Sequence, residues 1–367
     1  MVTSLVSQGL RDRASDIHIE PLNDILRIRY RIDGNLVEAQ TLPLQLHSSL
    51  VSRLKIMAGM NIVERRRPQD GQFSTTVDGR EVDVRVATVS TVFGEKLVMR
   101  LLDKRRSTIG LSELGMPKDT HEMYSQMVRS PFGMVICAGP TGAGKTTTLY
   151  ASLMEINDIG KNVTTIEDPV EYVFPGINQV QTNEQAGLTF ATGLRALLRQ
   201  DPDVILVGEI RDDLTANISI QAAQTGHLVL STLHTKDAPA ALIRLIHMGV
   251  PAIQVLSAVR LVTAQRLLRK LCAHCKKPVP TRDTQSAPWF IPVGCPRCVN
   301  GYQGRIGIFQ VLPMSEQLGT SLLAHASVTE LAQQAAASGI QTLKQSGQRL
   351  VDAGITSVEE LRRNVDV

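Results

Sequence analysis

The sequence predicts an α/β protein in which a small sheet-and-helix domain precedes a larger one built on parallel strands. Residues 26–33, LRIRYRID, alternate strictly, with Leu26, Ile28, Tyr30 and Ile32 on one face and Arg27, Arg29, Arg31 and Asp33 on the other. That is the pattern of a strand buried on one side only. From about Leu111 the alternation gives way to continuous apolar or β-branched runs, MVICAG, VTTIED, DVILVGE and HLVLSTLH, as strands covered on both faces require. A glycine-rich loop lies between the first of these runs and TTTLYASLMEI, a segment of helical pattern.

In the small domain the Asp33-Gly34 pair closes the first strand, and a second strand pair brackets Asp78-Gly79. After that turn Val82, Val84 and Val86 face inward while Glu81, Asp83 and Arg85 face out. A helix is expected between the strands, over roughly residues 47–60 and ending near Gly59. The charged run DKRRST, residues 103–108, breaks the pattern, so the domains are expected at 1–105 and 113–367 with a short linker at 106–112. In the larger domain LTFATGLRALLRQ reads as a helix, a cysteine-rich excursion spans 272–298, and the last fifty residues return to helical periodicity.

Bulk composition narrows the function. With 43% hydrophobic and 20% charged residues the chain is ordinary globular protein. A formal charge of +4, its basic residues interspersed with acidic ones, argues against a nucleic-acid partner. No apolar stretch approaches the ~20 residues needed to span a bilayer, and the first residues lack a signal-peptide core. The expectation is a cytoplasmic protein whose membrane contact is made only through partners.

The strongest motif is Gly139-Pro-Thr-Gly-Ala-Gly-Lys145-Thr146, a G-x-x-x-x-G-K-[ST] loop with a strand before it and a helix after it. Such a loop turns consecutive backbone N–H groups onto phosphate oxygens at the positive end of a helix. Gly139, Thr141, Gly142, Ala143, Gly144, Lys145, Thr146 and Thr147 are therefore the candidate nucleotide-binding residues, for ATP with Mg²⁺. Lys145 would reach the β and γ phosphates and the Thr146 hydroxyl would join the Mg²⁺ shell. Downstream, DVILVGE delivers Glu209 at the end of an apolar strand, the edge where ligands sit in a parallel sheet. Glu209 could hold magnesium and its water, or it could be a solvated carboxylate. TTIEDPVE sets Glu167, Asp168 and Glu171 at the end of another strand, either as catalytic acids or as a solvated turn. His227 and His234 flank HLVLSTLH and could sense the γ phosphate, although a histidine at a strand end is more often structural.

Five cysteines divide into two groups. Cys137, inside MVICAG, reads as a small buried hydrophobe rather than a nucleophile. Cys272-x-x-Cys275 and Cys295-x-x-Cys298 can close a tetrahedral four-thiolate site, the arrangement of a structural zinc ribbon, with an iron–sulfur cluster as the rival.

GPTGAGKTTTLY, TTIEDPVEY, LRALLRQDPDVILVGEIRD and TGHLVLSTLHT, in that order, resemble the Walker A, Asp box, Walker B and His box of the type II secretion and type IV pilus assembly ATPases. ASDIHIEP, RRRPQDG and GEKLVMRLLDK resemble that family's N-terminal domain, and AGITSVEEL its C-terminal end, so the resemblance runs from about Ala14 to Leu361. It implies a RecA-like P-loop motor domain, a smaller PAS-like N-terminal α/β domain and a zinc-ribbon-like insert at about 271–300. It further implies a homo-hexameric ring with ATP at the interfaces, attached to an inner-membrane platform protein. Glu209 and Glu167 become the metal-shell and water-activating acids, in either order, and His227 and His234 the His-box pair. Arg85 and Arg100 match N-terminal positions that reach toward phosphate; an outward arginine on a strand is otherwise merely solvated. A tetracysteine insert goes with assembly and secretion motors rather than retraction motors. Two departures stand out. Assembly members usually carry a further N-terminal domain that binds the platform, whereas here the resemblance begins almost at the first residue, the domain being either absent or trimmed away. Gln72 also stands where the pattern after RRRPQDG usually has arginine. A nucleotide-gated scaffold with negligible turnover is the competing reading from another class.

Overall fold

The computed structural model describes residues 1–103, 109–279 and 289–365. The chain divides into two compact units, Met1–Ser107 and Thr108–Val367. Residues 106–108 of the expected linker, and 104–108 of the DKRRST run, lie outside the described residues.

The first unit comprises α1 (Val2–Arg11), β1 (Ala14–Pro21), β2 (Ile25–Ile32), β3 (Asn35–Pro43), α2 (His47–Met57), β4 (Gln69–Val77), β5 (Arg80–Thr91) and β6 (Gly94–Asp103). Its six strands form one sheet in the order β3-β2-β1-β6-β5-β4, antiparallel throughout. The alternation in 26–33 is realised as expected, with Leu26, Ile28, Tyr30 and Ile32 buried. They join Ile17, Ile19, Val82, Val84, Val86, Leu97 and Met99. Helix α1 adds Val2, Leu5 and Val6, and the Tyr30 hydroxyl donates to the Leu5 carbonyl at 3.1 Å. The other face of the sheet is charged. Glu20 accepts from Nε and Nη2 of Arg29, both at 2.8 Å, and pairs with Lys96 at 3.0 Å. Burial alone would raise its pKa, but the hydrogen bonds and charges of Arg29 and Lys96 outweigh that and hold the carboxyl down at about 2. Helix α1 and strands β1, β3 and β6 add to the elements expected from sequence.

The second unit contains α3 (Lys118–Val128), β7 (Gly133–Ala138), α4 (Lys145–Ile156), β8 (Val163–Glu167), β9 (Ile177–Gln181), α5 (Phe190–Leu197), β10 (Val204–Val207), α6 (Asp213–Gln224) and β11 (Leu228–Leu233). It continues with α7 (Ala238–His247), α8 (Ala252–Ala258), β12 (Val259–Leu271), β13 (Lys277–Val279), β14 (Trp289–Ile291), β15 (Tyr302–Pro313), α9 (Glu316–Leu323), α10 (Val328–Ala337), α11 (Leu343–Asp352) and α12 (Val358–Asn364). The sheet order is β15-β12-β7-β11-β10-β8-β9, parallel except for the edge strand β15. Its continuous apolar runs follow from burial on both faces. Along β7, Met134 and Ile136 enter one core with helices α5, α6 and α7, while Val135 and Cys137 enter a second with α3 and α4. Sequence reading did not anticipate the long antiparallel pair β12–β15. Serine and threonine caps start the last four helices, with reciprocal capping boxes on α10 and α11. No described helix is long and apolar enough to cross a membrane.

Candidate active site and metal centre

Strand β7 ends at Ala138, and the chain loops through residues 139–144 into α4, whose N-cap Gly144 has φ 87°. Two glycines here are demanded by space as well as by φ. A Cβ on Gly139 would lie 2.7 Å from the Gln265 carbonyl oxygen, and one on Gly144 would lie 2.9 Å from the Gln265 amide nitrogen. The loop is thus pressed onto β12 at both ends, with the first turn of α4 turned to its open side. Thr146 and Thr147 are exposed in that turn, while Thr148 points inward and donates to Gln265 Oε1 at 2.7 Å. Lys145 Nζ donates to the carbonyls of Gly139 at 2.8 Å and Pro140 at 3.0 Å. Burial lowers the Lys145 pKa, and the negative charge of Glu209 opposes that shift.

Glu167, the last residue of β8, is buried and held by neutral donors: the Tyr150 hydroxyl, Thr165 Oγ1 at 2.6 Å and the Gln179 amide at 3.2 Å. Glu209, just beyond β10, is held by an arginine and a histidine instead. Arg211 Nη2 bonds one carboxylate oxygen, and His234 Nε2 lies 3.3 Å from the other. Arg211 also reaches Asp168 at 3.4 Å, tying the end of β8 to the end of β10. Burial would raise the Glu209 pKa, but Arg211 by hydrogen bond and charge, with His234, brings it below the ordinary value.

The parallel sheet brings Lys145, Glu167, Glu209 and His234 to one edge. It does not bring His227. That residue precedes β11, its carbonyl accepts from the Gly133 amide at the start of β7, and its Nδ1 lies 3.0 Å from the Ala222 carbonyl. The six residues of β11 separate the two histidines by roughly 20 Å, so within one chain His227 serves the far edge of the sheet. Arg85 and Arg100 face each other across β5 and β6, and Gln72 faces Arg85 from β4. Sequence reading missed Tyr150, Arg211 and Gln265. Arg211 follows Glu209 by two residues and Tyr150 ends the TTTLY run, but only the fold shows what each one holds.

Cys272 and Cys295 Sγ atoms are 3.9 Å apart, those of Cys275 and Cys298 3.7 Å, and those of Cys295 and Cys298 3.6 Å. All four lie within 4.8 Å of one another. A tetrahedral Zn²⁺ with thiolates at about 2.3 Å sets its sulfurs about 3.8 Å apart. Disulfide sulfurs would lie at about 2.05 Å. The amides of Gly294 and Cys295 donate to Cys275 and Cys298 sulfurs at 3.4 and 3.3 Å, as they do to thiolates. The four residues fit a zinc ion. Cys137 is fully buried, and burial pushes its thiol up to about 12, which suits a packing role.

A family model described as Type II/IV secretion system protein matches residues 1–363. The chain belongs to this family, the secretion and pilus assembly ATPases. Among relatives in the family, the type IV pilus assembly ATPase PilB of Pseudomonas aeruginosa is 45% identical over 99% of this chain and 66% of its own length. The type II secretion system protein HxcR of the same organism is 45% identical over 99% of this chain and 76% of its own. The chain thus spans about two thirds of the length of the pilus assembly relatives. Two solved structures share the fold. The ATPase DotB of Legionella pneumophila gives a TM-score of 0.77 at 20% identity, covering 99% of this chain and 94% of that one. The pilus retraction motor PilT with bound ADP gives 0.67 at 24% identity, covering 99% and 96%.

Proposed function

We propose that this protein hydrolyses ATP as the homo-hexameric motor of a type IV pilus assembly or type II secretion machine, docked on an inner-membrane platform protein from the cytoplasmic side. The observation that carries this reading is the loop of residues 139–144, with Lys145 at its end, sharing one sheet edge with Glu209 and His234. Relatives named for pilus assembly and secretion at 42–45% identity, and the four-cysteine cluster, favour extension or secretion over retraction.

The loop amides and the N-terminus of α4 would cradle the phosphates of ATP, and Lys145 would exchange the carbonyls of Gly139 and Pro140 for phosphate oxygens. Mg²⁺, when bound, neutralises charge on those oxygens; the exposed Thr146 hydroxyl and the Glu209 carboxylate are the groups that would hold it. Glu209 would have to turn from Arg211 and His234 to do so, which would free His234 to meet the terminal phosphate. Glu167 would orient the attacking water or the loop that does. Arg85 and Arg100 would supply positive charge to the phosphates from the N-terminal unit. Cys272, Cys275, Cys295 and Cys298 would hold a structural Zn²⁺ with no open position for chemistry.

Turnover of the assembled hexamer at saturating Mg-ATP tests the reading. Lys145→Ala should fall to background with the fold retained, although the loss of its hydrogen bonds to the Gly139 and Pro140 carbonyls should lower the melting temperature a little. A variant that turns over like wild type overturns the site. Wild type that binds ATP without turnover would leave the scaffold instead.

A further inference from the structure

The register of the N-terminal sheet sets five polar residues in a single row. Arg31 on β2 lies opposite Asp16 on β1, Asp16 opposite Arg100 on β6, Arg100 opposite Arg85 on β5, and Arg85 opposite Gln72 on β4. Directly opposed residues of antiparallel strands share a face, so all five project from the charged side of the sheet. An open cleft of about 500 Å³ lies along this row, with Asp16, Gln72, Arg85 and Arg100 in its wall.

Asp16 is the row's single acid and its buried member, 5% exposed, whereas the Arg100 side chain beside it is 58% exposed. Both carboxylate oxygens are engaged. Oδ1 accepts from Arg100 Nε at 3.0 Å; Oδ2 accepts from Ser15 Oγ at 2.8 Å and lies 3.6 Å from Arg31 Nε. A carboxylate bonded on both oxygens cannot swing away from the arginine it holds. An arginine gripped through Nε keeps its two Nη groups for a second, forked contact. Like charges directly opposed across a sheet repel, and Arg100 is opposed to Arg85. The acid on its other side offsets that repulsion and sets the direction of the guanidinium.

We propose that Asp16 is a positioning residue for Arg100, holding it by Nε so that its Nη groups meet an anionic oxygen at the mouth of this cleft, the oxygen being a nucleotide phosphate. This rests on the reading above that Arg100 acts on phosphate. Gln72 extends the row without adding charge, so the task falls on two arginines, and the aim of each matters more than it would among three.

The test is the kinetics of the full chain as assembled hexamer. Arg100→Ala should lower kcat at least about 100-fold, as loss of a cation at developing phosphoryl charge does. Asp16→Asn, equal in size, should lower kcat about 10- to 100-fold, the cost of a misplaced group, with KM for ATP little changed. In the Arg100→Ala background Asp16→Asn should cost nothing further. Equal losses in both backgrounds would show a merely structural role and overturn the proposal, as would wild-type turnover in Asp16→Asn while Arg100→Ala is inactive. Wild-type turnover in Arg100→Ala would instead defeat the underlying reading of Arg100. Arg100→Lys gives an independent check should Asp16→Asn fold poorly. It keeps the charge but lacks Nε and the fork, so it should fall nearly as far as Arg100→Ala; full activity would mean that charge alone suffices and that Asp16 positions nothing.

Discussion

On the N-terminal sheet Asp16 and Glu20 lie within the paired length of β1, beneath arginine and lysine side chains that reach over them from the strands on either side. On the motor sheet Glu167 and Glu209 lie where strands end and loops begin. These strand acids owe their partners to register, which cannot change without unpairing the sheet. Of the strand-end acids, Glu167 takes its partners from α4, β8 and β9, and Glu209 takes its own from a loop arginine and a histidine just past β11. Even these two differ, since Glu167 is buried among neutral donors while Glu209 is held by Arg211 and His234, groups that a metal or a phosphate group could displace. Acids with fixed partners hold their neighbours in place; on the function proposed above, the acid with exchangeable partners, Glu209, is the one that turnover would use.

The largest effect should come from that exchangeable acid. Glu209→Gln is expected to lower kcat by about 10²–10⁴-fold while the melting temperature holds. A clear fall in melting temperature with turnover intact would move Glu209 into the structural class. Glu20→Gln should do the reverse, keeping turnover and reducing the unfolding free energy by about 1–3 kcal/mol as Arg29 and Lys96 lose their acceptor. The pH dependence follows with a definite sign. Its folded pKa is depressed to about 2 from an ordinary 4.5, so its contribution is fully present above 4.5 and is lost as pH falls toward 2. Urea unfolding of wild type and Glu20→Gln, followed by circular dichroism at pH 7, 4 and 3, should show the gap between them closing; a constant gap would mean the charge is not what stabilises. The smallest effect is expected at Tyr150→Phe, which removes one donor from Glu167 and should cost about 1 kcal/mol, with turnover within about tenfold of wild type. A loss as deep as that of Glu209→Gln would make Glu167 the reactive acid and invert the comparison.

Much of this was legible in the chain. Strict alternation placed Leu26 to Ile32 and Val82 to Val86, because a sheet with one wet face writes its period into the sequence. The phosphate loop was legible because Gly139 and Gly144, the two glycines its pattern fixes, are forced by contact with Gln265. Other features left no local trace. In β12, VRLVTAQRLLRKL, Gln265 looks like any polar interruption; only the fold shows it buried between Cys137 and Thr148, which are 128 and 117 residues away in sequence. The two histidines of HLVLSTLH read as a pair because they are near in sequence, and a strand between them sends them to opposite edges. Asp16, Arg85, Arg100 and Gln72 lie on four different strands, and their common row exists only once register is known.

Strand β12 has a mechanical consequence. Its 13 residues form a beam about 43 Å long, bonded along its length to β15. One end of the beam carries the four-cysteine cluster, since Cys272 follows Leu271 directly, and farther along Gln265 floors the phosphate loop. Between them the beam is bolted to α12 and the link before it by the largely buried Arg269–Glu360 ion pair, by the Thr356 hydroxyl on the Arg269 carbonyl at 2.8 Å and by the Leu271 amide on the Ile355 carbonyl at 2.8 Å. Fraying that starts at an emptied cysteine cluster would therefore meet the bolt at residue 269 before it reached Gln265, and protection from amide exchange along β12 should step up sharply beyond that residue rather than rise evenly toward the phosphate loop.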